Sequence, residues 1–313
     1  MVKQIILPQI TEKEFFRRLR ERPFEDIGAI RTIESFFKKK RGYIFKMPKP
    51  GTPVILLVSG GLDSTTTWGL LLLKYKLVVY PLFIFRDSVR SKKEEHAADY
   101  FWNYFYRKYP NQVMPLMKFH TILSPPEITL SMEKEHYYHP KRVLDLIGNE
   151  MMLKYPNFYP QRVLPYIHVF YALVYAQYLY EHVDVKIRTV FTAVLAGDGL
   201  VVPSQTLTSL RTALLSVCHT TADYSWQFAS ITFEKELGHW FYKKDVILLG
   251  NKMGLPLEKT WSCYSAGLFQ CGNRCQTCKN RRDDFRGSGL IDKTVYLEDL
   301  TWVKWMRHLG LMK

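Results

Sequence analysis

Short apolar runs alternate with longer amphipathic segments along most of this chain. Residues 54–58 and 76–85 are rich in β-branched and aromatic side chains, which is typical of strands buried on both faces. Residues 185–196 form a third such run, and residues 117–123 a weaker one. Helical periodicity separates and follows these runs, at residues 65–73, 93–109, 163–181, 208–219 and 244–253. The alternation predicts an α/β fold, a doubly wound parallel sheet.

The first fifty residues precede the first predicted strand and follow a different pattern. Thr11-Glu12-Lys13-Glu14 is a capping-box sequence that predicts a charged amphipathic helix to about residue 22, and residues 27–37 predict a second helix. The basic run at residues 38–41 is typical of a solvated helix face, with nucleic-acid contact as the alternative. Residues 48–51 predict a linker, so we expect residues 1–50 to be a helical extension.

Residues 131–157 fit no clear periodicity and carry mixed charge, which favours an inserted segment. Three histidines, His120, His136 and His139, invite a metal hypothesis. Their spacing matches no compact ligand set, so loop or core histidines are the better interpretation. The expected organisation is an α/β domain over 51–260, interrupted near 131–157, and a C-terminal segment and tail over 261–313.

The charge of the chain changes the expected partners. Forty-four Lys and Arg residues against 29 Asp and Glu give a net charge of +15, which favours an acidic protein partner or a nucleic acid. The longest uncharged run, residues 163–180, contains Pro165, His168 and five tyrosines, which suit a core helix better than a membrane span. Since no signal-peptide pattern opens the sequence, we expect a cytoplasmic protein without a membrane segment.

A glycine-rich turn follows the first predicted strand. Ser59-Gly60-Gly61-Leu62-Asp63-Ser64 leads from that strand into a helix, with Asp63 or Ser64 expected to cap it. Main-chain amides at such a helix start bind anions, and phosphate is the natural ligand. The turn lacks the lysine of a Walker loop. Its aspartate would repel phosphates unless a metal ion accompanied them.

Four of the five cysteines lie within sixteen residues, at Cys263, Cys271, Cys275 and Cys278. In a cytosolic chain this clustering favours a tetrahedral zinc site, with an iron–sulfur cluster or free thiols as alternatives. Nearby basic residues would offset the charge of four thiolates; they are Arg274, Lys279, Arg281 and Arg282. The remaining Cys218 is expected to be a packed thiol.

The loop at residues 59–64 resembles the pyrophosphate loop (PP-loop) of the ATP pyrophosphatase superfamily. Together with the four cysteines, it resembles one branch, the 7-cyano-7-deazaguanine synthases of queuosine precursor synthesis. Pro160-Gln161-Arg162, Lys244-Asp245 and Thr260-Trp261-Ser262-Cys263-Tyr264 are similar to further motifs of that family. The resemblance implies a Rossmann-like fold of the adenine nucleotide alpha hydrolase type, with a zinc-bound C-terminal segment.

The resemblance also implies the chemistry. These enzymes use ATP and Mg²⁺ to adenylate 7-carboxy-7-deazaguanine; ammonia then gives an amide, which a second activation dehydrates to the nitrile. The implied catalytic residues are Asp63, Ser64, Arg162 and Lys244. The implied ATP-binding residues are Ser59, Gly60, Gly61, Leu62, Asp63, Ser64 and Arg90, and the implied Zn²⁺ ligands are Cys263, Cys271, Cys275 and Cys278.

Two stretches depart from the family pattern. Residues 202–206 stand where the family has an acid and an arginine that help hold the deazaguanine, although Asp198 lies just before them. Residues 85–91 retain mainly Arg90 of the corresponding family element. With the added segments and the positive charge, these departures resemble relatives found in bacterial antiviral operons. The acceptor is then either ammonia or a protein amine, and a homodimer is compatible with this interpretation.

Two other functions stay open at the level of the sequence. Other PP-loop enzymes adenylate and thiolate a tRNA base, and a basic chain suits that substrate. No cysteine lies directly after the loop, however, and no tRNA-binding module is recognisable. The other alternative is a nucleotide-binding protein that keeps the loop and has no catalytic activity.

Overall fold

A computed structural model describes residues 5–85, 90–120, 164–200, 202–264 and 267–303. Eight α-helices and seven strands fall within these ranges. In chain order they are α1 (Glu12–Arg20), α2 (Ile27–Arg41), β1 (Pro53–Val58), α3 (Leu62–Leu73), β2 (Val78–Phe85), α4 (Ser91–Lys108), β3 (Met117–His120), α5 (Leu164–Val183), β4 (Thr189–Thr192), α6 (Leu207–Thr221), β5 (Gln227–Ser230), β6 (Phe233–Glu234), β7 (His239–Trp240), α7 (Lys243–Lys252) and α8 (Gln276–Gly287).

The seven strands form one sheet in the order β3-β2-β1-β4-β5-β6-β7. The first five are parallel, while β6 and β7 add an antiparallel edge. In β1, Ile55 and Leu57 point into a hydrophobic core with α1, α2, α5 and α6. Val54, Leu56 and Val58 point into a second core with α3, α4, α7 and α8. Because a strand alternates its side chains, helices cover both faces of the sheet, and the predicted doubly wound α/β fold is confirmed.

Most predicted elements are present, with shifted ends. Helix α2 continues to Arg41, so the basic run 38–41 forms its last turn, where cations complement the helix dipole. Strand β4 is only four residues long, although the apolar run predicted twelve, because the chain enters the sheet only at Thr189. Strands β5, β6 and β7 and helix α8 were not predicted. Two-residue strands are too short to show a period in the sequence.

Helices α1 and α2 share the core with the sheet. Phe15 is fully buried and packs edge-on against Trp240 of β7, with ring centroids 4.9 Å apart. Glu25 accepts hydrogen bonds from the Leu207 and Thr208 amides at the start of α6 (2.8 and 2.9 Å). The first fifty residues, predicted as an extension, therefore hold the first turn of a helix that packs on the sheet.

Buried ion pairs connect the same helices to the strands. Arg211 of α6 bonds to Glu34 of α2 at 3.1 Å and to Glu234 of β6 at 2.7 Å, and all three side chains are buried. Lys235 approaches Glu34 at 3.3 Å. Each charge in this network has an opposite partner, which a buried charge requires.

Several predictions concern residues outside the described ranges. They are the insertion at 131–157, His136, His139, Pro160, Gln161 and Arg162. Within the described ranges, no helix combines the length and the apolar composition that crossing a membrane requires.

Candidate active site and metal centre

A cavity of about 330 Å³ lies where β1, β2 and β4 end. Parallel sheets bind ligands at this edge, because helix N-termini and loops converge there. The cavity reaches from the PP-loop across the sheet to the turn at Asp198. Polar side chains on its wall include Ser59, Asp63, Ser64, Arg90, Glu94, His168, Asp198, Gln205 and Tyr264.

Gly60 lets the PP-loop lie directly against helix α4. Its φ is +68°, and a Cβ atom at this position would be 2.5 Å from the Glu94 carbonyl oxygen and 2.8 Å from the Ala98 nitrogen. A larger residue would therefore clash with main-chain atoms as well as adopt an unfavourable φ. This glycine fixes the close approach of the loop to the neighbouring helix.

The PP-loop ends in the exposed amides of a helix start. Gly61 is the N-cap of α3, and no side chain caps the helix, so the prediction that Asp63 or Ser64 would do so is wrong. Both lie in the first helical turn instead. Ser64 Oγ accepts a hydrogen bond from the Ser59 amide (3.1 Å), which closes the loop on itself. The first amides of α3 are thus left for a ligand, in the arrangement that binds phosphate.

The two carboxylate oxygens of Asp63 have different surroundings. Its Oδ2 atom accepts a hydrogen bond from Lys243 Nζ. Its Oδ1 atom is buried and has no hydrogen-bond partner among the residues that the structure describes. A buried carboxylate oxygen without a donor is unfavourable, and a cation is the partner that relieves it.

The structure brings Lys243 to Asp63, whereas the prediction named Lys244. Lys244 is exposed on α7. Consecutive residues of a helix point about 100° apart, so only one of two adjacent lysines faces the crevice. Tyr242 is the N-cap residue of α7, and this helix start places Lys243 toward the PP-loop.

Two further carboxylates surround Lys243. Asp198, in a short turn after β4, accepts a hydrogen bond from the Leu195 amide (2.8 Å). Burial raises the pKa of Asp198 to about 6, and the Asp63 charge adds to the shift. Burial likewise raises the pKa of Asp284 on α8. Burial opposes the charge on Lys243, but Asp63 and Asp198 hold its pKa above the usual value. Three carboxylates thus face a single lysine charge, and this excess of negative charge favours binding of a further cation.

Arg90 closes the cavity on the α4 side. Its Nε atom pairs with Glu94 Oε1 at 3.0 Å, and its guanidinium lies 4.4 Å from the centre of the Tyr264 ring. Glu94, Tyr264, His168 and Gln205 were not predicted as site residues. His168 could have been noticed as a polar residue in an otherwise apolar helix, whereas Glu94 carries no such signal.

The four predicted cysteines meet at one point. Their sulfur atoms all lie within 4.8 Å of one another, with Cys263 Sγ and Cys275 Sγ 3.9 Å apart. A tetrahedral zinc–thiolate site has sulfurs about 3.8 Å apart, from bonds of about 2.3 Å. The Cys271 amide also donates to Cys263 Sγ (3.3 Å). The cluster can therefore hold a metal ion such as zinc.

Three of the four basic residues predicted to offset thiolate charge, Arg274, Arg281 and Arg282, pair with carboxylates. Arg281 is buried and bonds to Asp292, Thr260 and the Leu257 carbonyl. Arg282 bonds to Asp299, and Arg274 lies 3.8 Å from Glu298. These pairs connect the cysteine segment, residues 261–278, to its surroundings, and the predicted effect of the arginines on thiolate charge stays a prediction.

A main-chain hydrogen bond connects the two candidate sites. The Trp261 amide donates to the Gly60 carbonyl at 3.0 Å. Two residues later the chain provides the ligand Cys263, and then Tyr264 of the cavity wall. The cysteine segment is therefore bonded to the PP-loop and leads into one wall of the cavity.

Several known proteins are similar in sequence to parts of this chain. The family model for the queuosine biosynthesis protein QueC matches residues 53–289. A 7-cyano-7-deazaguanine synthase from Allorhizobium ampelinum is 44% identical over 61 residues, 20% of this chain and 26% of that protein. 7-cyano-7-deazaguanine synthase 1 from Mesorhizobium japonicum is 33% identical over 119 residues, 38% of this chain and 48% of that protein. The matched segments thus span between a quarter and a half of these relatives.

Among solved structures, the U34-tRNA thiolase NcsA from Methanococcus maripaludis, which carries an iron–sulfur cluster, is similar at 12% sequence identity. The TM-score is 0.34, with 91% of this chain and 89% of that chain covered. Similarity at this level carries no argument about the chemistry of this chain.

Proposed function

The chain belongs to the QueC family, and from this premise we propose that it is an ATP-dependent, AMP-forming carbon–nitrogen ligase that adenylates a 7-deazaguanine-type carboxylate. One observation carries the proposal. In a single cavity, the uncapped start of α3 lies beside the unsatisfied Oδ1 atom of Asp63. Amides for phosphate and an oxygen for a metal ion are what ATP bound with Mg²⁺ requires.

The residues present fit Mg²⁺. It is a hard cation that prefers oxygen ligands, and Asp63 Oδ1 is the candidate ligand, with Asp198 nearby. When bound, Mg²⁺ would neutralise charge on the phosphates. The amides at the start of α3 would bind the β- and γ-phosphates, while Ser59 and Ser64 hold the loop in shape.

Activation makes the carboxylate a better electrophile. An oxygen of the substrate carboxylate attacks the α-phosphorus of ATP, the bond to the β-phosphate oxygen breaks, and pyrophosphate leaves. Lys243 carries a positive charge beside Asp63 and would stabilise the negative charge that develops on the leaving group. The resulting acyl-adenylate has a good leaving group, AMP, which an amine displaces to form the carbon–nitrogen bond.

The amine acceptor is either ammonia, which leads to the amide and the nitrile, or an amine of a protein. The net charge of +15 supports encounter with an acidic partner. Gln205, on the cavity wall, belongs to the stretch 202–206 that departs from the family pattern. We therefore propose that the activation step is shared with the family, and that the acceptor is a protein amine in an antiviral system.

Mass spectrometry tests the proposal after incubation with ATP, Mg²⁺, 7-carboxy-7-deazaguanine and ammonia, with and without the proteins of neighbouring genes. We expect AMP and a new carbon–nitrogen product. Asp63→Asn and Ser64→Ala should lower AMP release at least about 100-fold. Asp283→Asn, an exposed acid on α8, is the matched control and should retain activity.

The other outcomes separate the alternatives. Free nitrile with no protein adduct would refute the protein acceptor and leave the ligase standing. AMP release that depends on tRNA and not on the acid would replace the ligase with base thiolation. Tight ATP binding without turnover under all conditions would indicate a nucleotide-binding protein.

A further inference from the structure

Arg22, just after α1, is buried and pairs with no carboxylate of the described residues. Its side chain is 7% exposed, and Nη2 makes a long hydrogen bond to the Tyr242 hydroxyl (3.3 Å). The guanidinium lies 4.9 Å from the centre of the Trp240 ring. Nη1 is buried and has no hydrogen-bond partner. Arg22 precedes residues 53–289, so it lies outside the range that the family model matches.

The other deeply buried cations in the described part of the chain behave differently. Arg211 is paired with Glu34 and Glu234, Lys235 with Glu34 and Glu236, and Arg281 with Asp292. Burying a charge without such a partner is costly, and proteins rarely do so without a reason. Among the described residues, none forms an ion pair with the Arg22 guanidinium, so this buried cation can accept an anionic partner.

The position of Arg22 connects it to the candidate active site. Tyr242, its hydrogen-bond partner, immediately precedes Lys243. The Tyr242 ring also lies 3.6 Å from where a Cβ atom on Gly197 would be, and Gly197 immediately precedes Asp198. The charge of Arg22 acts on Asp198, lowering its pKa against the effect of burial.

The indole against which Arg22 packs also carries an unsatisfied donor. Trp240 is 5% exposed, and its Nε1 atom is buried without a hydrogen-bond partner. The Arg22 guanidinium lies over this indole ring. Two neighbouring side chains thus have N–H groups to donate and no acceptor, which indicates a missing anionic oxygen group.

We propose that Arg22, together with the Trp240 indole, binds an anionic oxygen group of a substrate beside Asp198. The inference rests on the proposed ligase function and adds a residue from outside the family-matched range. Two sources offer this chemistry, the carboxylate of the acid and a phosphate of ATP. The carboxylate is the expected one, because the amides of α3 already provide for phosphate, and a planar guanidinium matches a carboxylate.

Kinetics of AMP release test the inference, with the KM for the acid and the KM for ATP measured separately. Arg22→Met removes the charge and keeps the length. It should raise the KM for the acid roughly 10- to 100-fold, as expected when one hydrogen bond to a charged group is lost. The KM for ATP should change less than about twofold. Arg22→Lys should restore part of the loss, because the charge returns without the planar geometry.

Arg18→Met is the matched control. Arg18 also lies over the Trp240 ring, at 5.9 Å, but it is more exposed and bonds to Glu14. Its substitution should change neither KM. Thermal unfolding gives the structural readout: Arg22→Met should leave the midpoint unchanged or raise it, since an unpaired buried charge is removed.

Each result has one meaning for the anion site. A raised KM for ATP alone supports the site and identifies the phosphate as its ligand. A lower unfolding midpoint with both KM values unchanged would overturn the inference and make Arg22 structural.

Thermal shift with the acid alone, measured without turnover, separates the inference from the ligase. If the wild-type chain releases no AMP but the acid stabilises it, and Arg22→Met removes that stabilisation, the anion site stands and the ligase fails. Normal AMP release with an unchanged KM for the acid in Arg22→Met would refute the anion site alone.

Discussion

The chemistry of the crevice depends on how Asp63 divides its two oxygens. One accepts from Lys243 and the other has no donor in the described part of the chain, so a single carboxylate can hold a lysine and a metal ion at once. The PP-loop residues were predictable because they are consecutive. The prediction named Lys244, whereas Lys243 is the lysine that bonds to Asp63, because the start of helix α7 at Lys243 could not be read from the sequence.

The two lysines give a matched pair of variants. Lys243→Ala should lower AMP release at least about 100-fold, because it removes the charge next to the leaving pyrophosphate. Lys244→Ala should retain more than half of the activity, since that side chain is exposed. Initial rates of AMP formation at saturating ATP check both. Equal loss in the two variants would contradict the assignment of Lys243.

The buried Asp198 carboxylate should lower the stability of the folded chain at neutral pH. Its pKa is raised from 3.8 to about 6, so the folded state retains a proton that the unfolded state has lost between these values. Stability contributed by this group is therefore present below about pH 4 and is lost as the pH rises to 6. Asp198→Asn should stabilise the chain at pH 7 by up to about 3 kcal/mol.

The gain in Asp198→Asn should become small at pH 4, where the aspartate is protonated in the folded state and close to half protonated in the unfolded state. Urea unfolding at the two pH values measures it. A variant that is less stable than the wild-type chain at pH 7 would show that the carboxylate is stabilising.

Among the elements, the cysteine segment and the PP-loop are connected by a main-chain hydrogen bond. The Trp261 amide holds the Gly60 carbonyl, and Cys263 follows two residues later. The cysteines were predictable from their spacing. Their connection to the PP-loop was not, because it depends on a main-chain hydrogen bond between residues 201 positions apart.

Loss of the metal should therefore weaken ATP binding as well as the fold. We expect about one zinc per chain in the purified protein. Cys275→Ser should lose zinc and lower the unfolding midpoint, because metal binding contributes directly to folding. Its remaining folded fraction should show a raised KM for ATP, since the Gly60 carbonyl loses its fixed donor.

Elemental analysis and the KM for ATP check this prediction. Cys218→Ser, which alters a buried cysteine far along the chain from the cluster, is the control for thiol loss and should keep its zinc. Iron in the purified protein, or full zinc content in Cys275→Ser, would contradict the four-cysteine zinc site.

In the whole molecule, the segment before the family-matched range packs its two helices against one face of the sheet. Glu34 and Arg211 are brought together from 177 positions apart. Sequence periodicity predicted both helices of this segment but not where they pack, because a charged amphipathic helix carries no information about its partner. The burial of Glu34 could not be predicted, because the rest of its helix follows the expected amphipathic pattern.

Arg211→Met should strongly destabilise the chain, by about 3 to 5 kcal/mol, because it leaves Glu34 and Glu234 buried without their main partner. Arg17→Met is the control, since Arg17 pairs with Glu14 and Glu21 on the surface of α1. It should leave the unfolding midpoint unchanged within error. Denaturant unfolding checks both, and an undiminished midpoint in Arg211→Met would show that the network of Arg211, Glu34 and Glu234 does not stabilise the fold.

The central claim is that this chain transfers AMP to a small carboxylate, and ATP–pyrophosphate exchange tests it most directly. The assay contains ATP, Mg²⁺, labelled pyrophosphate and 7-carboxy-7-deazaguanine, with no amine. We predict that label enters ATP only when the acid is present, and that Asp63→Asn abolishes the exchange. Formation of ADP, exchange without the acid, or exchange that requires tRNA would contradict the claim.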